Sequence, residues 1–162
     1  MKIRPFQPDD AESCFRLRSN AFIQKFYEEL TPEEIAAAVN AYMPNDFILM
    51  AQKNPCFIVE DDGNPIGFFN LKRKDDITAE IPLIYLDLDR LGGGFGTACI
   101  EHMEKWLLEN WSQVYTLVVD TVIPKYNSGF YRKVGFKTKE FTYCEFSGKK
   151  LKALRLIKKI RK

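Results

Sequence analysis

The stretch Arg90–Trp111, RLGGGFGTACIEHMEKWLLENW, decides how this chain is read. Four of the five residues from Gly92 to Gly96 are glycine, so the backbone there is bare, and an amphipathic helical pattern starts directly after them. An apolar run, Ile81–Leu86, precedes the loop. Strand, glycine loop and helix in that order make a pocket for phosphate oxygens. Backbone N–H groups approach an anion closely where no side chain intervenes. The first turn of the helix adds unpaired N–H groups and the positive end of its dipole. The expected ligand is a nucleotide-like anion carrying a pyrophosphate. A glycine cluster alone is equally a flexible turn; the flanking strand and helix favour the site.

Outward from the loop, hydrophobic patterning and turn residues divide the rest of the chain. Lys2–Phe6 reads as an edge strand, and Pro8-Asp9-Asp10 as a turn that caps a helix over Ala11–Phe22. Tyr27–Leu30 reads as loop. Thr31-Pro32-Glu33-Glu34 starts a second helix, with Thr31 as N-cap, Pro32 at the first position and Glu34 closing a capping box. That helix runs to about Ala41, and Met43-Pro44-Asn45 ends it. Cys56–Glu60 and Ile66–Lys72 form a hairpin around the turn Asp61–Pro65. Thr78–Leu86 reads as one strand leading into the glycine loop. The helix Gly96–Asn110 follows, and then Val114–Asp120, a nearly continuous apolar run expected to be covered on both faces. Ser128–Val134 is a short helix that Asn127 can cap and Gly135 ends. Phe136–Glu145 and Lys150–Ile157 are the last strands. The order β-α-α-β-β-β-α-β-α-β-β describes a single α/β domain with a mixed sheet.

Composition narrows the function. The 162 residues suit one domain with a sizeable core, and 46% hydrophobic with 28% charged residues is an ordinary globular balance. A net charge of +2 implies no strong attraction to nucleic acid. No apolar run spans a bilayer and the N-terminus lacks the apolar core of a secretory signal, so the cytoplasm is the expected compartment. Cys14, Cys56, Cys99 and Cys144 are widely spaced and, with the single His102, form no metal-binding pattern; buried free thiols are expected, and no metal. The tail Lys149–Lys162 carries eight basic residues and no acidic one, interleaved with apolar positions, and reads as a strand with solvated lysines.

Two motifs carry the chemistry. The first is Leu86-Asp87-Leu88-Asp89-Arg90-Leu91-Gly92-Gly93-Gly94-Phe95-Gly96. It has neither the Lys-Ser/Thr of a triphosphate loop nor a G-x-G-x-x-G with a suitable acidic partner downstream. The second is Asn127-Ser128-Gly129-Phe130-Tyr131-Arg132-Lys133-Val134-Gly135-Phe136. Together they resemble the GNAT superfamily of acetyl-coenzyme A-dependent N-acetyltransferases, a resemblance that covers essentially the whole chain in element order. Gly94 and Gly96 match the family's paired glycines, and Gly92 a frequent preceding one. Leu91 stands where the family prefers Gln or Arg, with Arg90 one place early.

The resemblance implies one GNAT-like domain over residues 1–162, of α+β type, with a mixed, mostly antiparallel central sheet flanked by helices. It implies acetyl-coenzyme A as cosubstrate, cradled by Leu91, Gly92, Gly93, Gly94, Phe95, Gly96 and Thr97. Asn127 is a further cofactor contact. Backbone groups of Ile84, Tyr85 and Leu86 would pair with the pantetheine amides in the manner of an added strand, in a gap between this strand and Val114–Asp120. Tyr131 would protonate the departing thiolate; a phenol with its ordinary pKa of ~10 keeps its proton at neutral pH. Glu80, six residues before Leu86 and therefore on the same face of an unbroken strand, would deprotonate the amine, with Asp120 as the second candidate. The acceptor would be the primary amine of a small molecule or a peptide, attacking directly in a ternary complex. The alternatives are a non-catalytic acyl-coenzyme A-binding module and a nucleotide-binding regulatory domain. A homodimer is left open.

Overall fold

The computed structural model describes residues 1–123 and 128–160. In chain order the elements are β1 (Lys2–Pro5), α1 (Ala11–Lys25), α2 (Pro32–Asn40), α3 (Pro44–Lys53), β2 (Cys56–Asp61), β3 (Asn64–Asn70), β4 (Lys72–Arg73), β5 (Thr78–Glu80), β6 (Ile84–Leu86), α4 (Phe95–Asn110), β7 (Thr116–Val122), α5 (Ser128–Lys133), β8 (Lys137–Phe146) and β9 (Lys149–Lys159). Among the described residues every strand pair is antiparallel except β5 with β7, so the sheet structure is mixed and mostly antiparallel, with helices flanking it. Two compact units result, one of Met1–Asn70 with Leu83–Gly96 and one of Leu71–Pro82 with Thr97–Lys162.

The first unit holds a four-stranded sheet in the order β1-β2-β3-β6. Helix α1 packs against α2, α3 and β3. The core gathers Cys14, Leu17, Phe47, Ile58 and Phe68, with Tyr85 and Leu83 packed against it. Local chemistry sets the helix starts. Thr31 Oγ1 accepts the Glu34 N–H at 3.2 Å while the Glu34 carboxylate accepts the Thr31 N–H at 3.0 Å, the expected reciprocal cap. At the first helix the expected Asp10 cap works differently: the Asp10 carboxylate accepts the Gln7 N–H at 2.7 Å and both Arg4 terminal nitrogens at 2.8 Å, so it closes the 3-10 turn before α1 and ties it to β1. Helix α3 was not expected. Pro44, read as a stop, is instead the first-turn proline of a new helix, and the Asp46 carboxylate accepts the Met43 N–H at 2.8 Å.

The second unit holds a five-stranded sheet in the order β4-β5-β7-β9-β8. Strand β7 is central and buried on both faces, as its apolar run requires. Helix α4 buries Cys99, Ile100, Met103 and Leu107, and Glu104 holds Lys158 of β9 at 2.9 Å. Strand β8 is an edge.

One expected strand is broken. Thr78–Leu86 is not continuous: β5 ends at Glu80 and β6 starts at Ile84. Pro82 has no N–H for a ladder. The Leu83 N–H is taken by the buried Asn70 side chain at 2.9 Å, and the Leu83 carbonyl accepts the Asn70 N–H at 3.1 Å. The count of six residues from Glu80 to Leu86 therefore does not put both side chains on one face of one strand, because the pleat is interrupted between them.

Candidate active site

In the first unit the glycine loop grows out of β6. Ile84, Tyr85 and Leu86 pair with Phe69, Phe68 and Gly67, and the Tyr85 ring stacks on Phe68 at 5.5 Å. Gly67 is required there: a Cβ would lie 2.8 Å from the Tyr85 carbonyl oxygen. Among the described residues β6 is the last strand of its sheet, so the other edge of its backbone carries no ladder there. After Leu86 the chain makes a 3-10 turn held by the Asp87 N–H on the Ile66 carbonyl at 2.7 Å and by the Asp87 carboxylate accepting from the Asp89 N–H at 3.1 Å. The Arg90 guanidinium pairs with Asp61 at 2.8 Å and so anchors the loop's start to the β2–β3 hairpin. Leu91 is exposed.

The loop itself is bare backbone. Gly92 and Gly94 lie in the left-handed region at φ +86° and +81°, and a Cβ built on either meets no atom within 4 Å. Among the described residues the N–H groups of Leu91 and Gly93 have backbone acceptors, the Leu88 and Arg90 carbonyls at 3.5 and 3.4 Å, whereas those of Gly92 and Gly94 have none. Helix α4 begins at Phe95, so Phe95, Gly96 and Thr97 supply first-turn N–H groups with no intrahelical acceptor. Open space beside unpaired donors at a helix start fits a phosphate-bearing group such as coenzyme A.

The remaining site residues belong to the second unit. Glu80 ends β5 beside Val118 of β7; its carboxylate lies 3.5 Å from Lys74 Nζ and 3.9 Å from Lys72 Nζ and is partly exposed. Asp120 is held more tightly: both its oxygens accept from Arg155, at 2.9 Å each, and Arg155 also reaches Glu140 at 3.2 Å. Those carboxylates raise the Arg155 guanidinium well above its ordinary value, chiefly through the Asp120 hydrogen bond. Tyr131 lies on α5, buried, with its ring edge-on to Phe130 at 5.1 Å and Phe136 at 5.5 Å. His102 is half-buried within α4; burial lowers its pKa from the ordinary value. Asn127 lies outside the described residues. No group of three potential metal ligands occurs among the described residues. No helix described is long and apolar enough to cross a membrane.

A model of the acetyltransferase (GNAT) family matches residues 13–136, which include β6, the glycine loop, β7 and the Tyr131 helix. The chain belongs to the GNAT family. Solved GNAT structures share its fold. A GCN5-related N-acetyltransferase from Rhodopseudomonas palustris superposes with a TM-score of 0.79 at 23% identity, covering 98% of this chain and 94% of that one. The PaiA N-acetyltransferase from Thermoplasma acidophilum, solved in complex with coenzyme A, gives 0.80 at 18% identity over 98% of each chain. A ribosomal-protein-alanine N-acetyltransferase from Brucella melitensis gives 0.73 at 15% identity, covering 98% of this chain and 99% of that one. No curated protein matches. Membership of this GNAT family supports acetyl transfer to an amine.

Sequence reasoning did not find the partners of the two carboxylates. Arg155 is 35 residues from Asp120 along the chain, and only the β7–β9 register brings them together. The pairing of Glu80 with Lys72 rests likewise on the β4–β5 register. Sequence did carry one signal left unread. Arg18 falls inside the apolar stripe of α1, between Leu17 and Ala21, and is buried against the Phe22 and Tyr42 rings at 4.6 and 4.5 Å, donating to the Ala38 carbonyl at 2.7 Å.

Proposed function

We propose that the chain is a single GNAT domain that transfers an acetyl group from acetyl-coenzyme A to the primary amine of a small molecule or a peptide, by direct attack in a ternary complex. The observation that carries the reading is the pair of left-handed glycines, Gly92 and Gly94, with unpaired N–H groups at the mouth of α4. Leu91 to Thr97 hold the phosphates through backbone, Asn127 adds a contact, and Ile84, Tyr85 and Leu86 offer the outer edge of β6 to the pantetheine amides. The bound cosubstrate supplies a thioester carbon open to amine attack and a thiolate leaving group.

The chain supplies position and protons. The Tyr131 hydroxyl donates to the departing sulfur, in a buried aromatic setting that keeps the ring fixed. Glu80, directly or through a water, takes the amine proton. The geometry supports Glu80 over Asp120: its contacts with two lysines are long and its carboxylate stays partly exposed, whereas Asp120 has both oxygens engaged by Arg155. Binding both reactants side by side supplies much of the acceleration. No cysteine is assigned a covalent role. Burial pushes Cys56 and Cys99 up to about 12, far from thiolate at neutral pH. Free thiols at Cys14, Cys56, Cys99 and Cys144 suit a reducing compartment, and we place the reaction in the cytoplasm.

The test is release of free thiol from acetyl-coenzyme A over a panel of polyamines, amino acids, aminoglycosides and peptide N-termini. Acceptor-dependent release supports the enzyme. Tight coenzyme A binding with no acceptor-dependent release favours a non-catalytic binding module, and competition by ATP a nucleotide-binding regulatory domain.

A further inference from the structure

Arg18 carries more donors than its structural task uses. It lies on α1 and is only 4% exposed. Its guanidinium sits over the Phe22 and Tyr42 rings, 4.6 and 4.5 Å from their centroids, and Nη1 donates to the Ala38 carbonyl in the last turn of α2 at 2.7 Å. Two rings and one carbonyl offset only part of the cost of burying a cation. Among the described residues no carboxylate pairs with it, and neither Nε nor Nη2 has an acceptor; Nε is also closed off from solvent. Nε and Nη2 form one edge of the guanidinium, with two parallel N–H groups spaced for the two oxygens of a carboxylate. The chain uses that edge in this way elsewhere: Arg155 donates from Nε and Nη2 to the two oxygens of Asp120, at 2.9 Å each.

We propose that Arg18 reads a carboxylate on the acetyl acceptor, so that the substrate is an amino acid or another amine carrying a carboxylate. The inference rests on the acetyl-transfer reading and narrows its acceptor. Its position within the first unit suits the role. Helix α1 packs against β6, and the neighbouring Leu17 belongs to the core cluster against which Tyr85 of β6 packs. A run of ring contacts leads from the guanidinium to the strand offered to the pantetheine arm: Tyr42 to Phe47 at 5.8 Å, Phe47 to Phe68 at 5.4 Å and Phe68 to Tyr85 at 5.5 Å. Of the two rings at the guanidinium, Phe22 is fully buried, whereas Tyr42 is half-buried in the short link between α2 and α3. The carboxylate enters by displacing Tyr42 and takes the Nε–Nη2 edge, while Nη1 keeps the Ala38 carbonyl. A role confined to capping α2 needs one donor and no charge. A carboxylate uses the edge that the cap leaves idle and neutralises the buried cation.

Acetylation of matched acceptors by the full chain tests it. Amino acids from glycine to phenylalanine, and short ω-amino acids, are each compared with their own carboxamides. An α-amino amide is less protonated at neutral pH than its acid, so intrinsic reactivity favours the amide. The parent should instead favour the acid in kcat/KM by about ten- to a hundredfold, the worth of a hydrogen bond to a charged group. Arg18→Lys keeps a cation for the Ala38 carbonyl and loses the planar fork, so the acid-over-amide ratio should fall close to one. A purely structural role would lower both acceptors together and leave the ratio unchanged. The comparison in the parent needs no variant. Thermal melts of the parent give a reading without turnover: N-acetyl amino acids, the product form, should protect it more than N-acetyl amino amides do. Acids and amides acetylated alike, equal protection by both products, or a preference that survives Arg18→Lys would overturn this inference and leave acetyl transfer standing. No amine acetylated at all would overturn both.

Discussion

Replacing Gly94 by alanine separates the loop's conformation from its ligand. Gly94 has φ +81°, and an added Cβ meets no atom within 4 Å. An L-residue in the left-handed region costs about 1–2 kcal/mol. For a domain of this size that lowers Tm by about 2–8 °C, at roughly 2–4 °C per kcal/mol. Steric clash adds nothing, because the space is open. In the proposed cradle the same Cβ would hinder a phosphate oxygen approaching the Gly94 N–H. Losing one hydrogen bond to a charged group costs about 1.5–3 kcal/mol, which is about ten- to a hundredfold in affinity. The structure contains a matched control. Gly148, in the turn between β8 and β9, also has φ +81° and open space around its Cβ. Gly148→Ala should lose similar stability and leave coenzyme A binding unchanged. Calorimetric titration with coenzyme A and thermal melts on the two variants supply both numbers. If Gly94→Ala binds coenzyme A like the parent, or Gly148→Ala weakens binding as much, the cradle is wrongly placed.

Tyr131→Phe keeps the ring contacts with Phe130 and Phe136 and removes the hydroxyl; steady-state kinetics should show turnover falling roughly ten- to a thousandfold with acetyl-coenzyme A affinity little changed. An unchanged turnover number removes Tyr131 from the chemistry. Glu80→Gln should reduce turnover most at neutral pH and less at high pH, where the amine loses its proton without help; an equal loss throughout a pH profile means the two lysine contacts matter structurally and no more. Asp10 offers a pH test of stability: burial works to raise its carboxyl, but the Arg4 and Gln7 hydrogen bonds outweigh it and hold the pKa below the ordinary value. A depressed carboxylate contributes stability above the unfolded pKa, about 3.9, and loses it as pH falls through the native value. Urea melts should therefore show Asp10→Asn less stable than the parent at pH 7, with the gap closing below about pH 4.

What was legible in the sequence is what short-range chemistry decides. The Thr31–Glu34 capping box, the β2–β3 hairpin and the loop opening α4 each depend on residues a few positions apart. Helix α3 was missed because proline after an apparent helix end reads as a stop, although the same Pro44 with Asp46 is also a start. The break between β5 and β6 was missed because its cause is tertiary: a buried Asn70, held from the other side by Met50 Sδ at 2.9 Å, takes the Leu83 N–H. That break removed the strand-parity argument for Glu80 while leaving the residue a candidate on other grounds. The loop glycines were legible as types; that Gly92 and Gly94, and not Gly93, take the left-handed conformation is visible only in the backbone. The Arg155 clamp on Asp120 required the sheet register.

Transfer of an acetyl group to an amine is tested most directly by mass spectrometry of the amine panel after incubation with the chain and acetyl-coenzyme A. At least one primary amine should gain the mass of one acetyl group, in step with free coenzyme A released, and Tyr131→Phe should slow both together. Binding of coenzyme A with every amine recovered unmodified would contradict it.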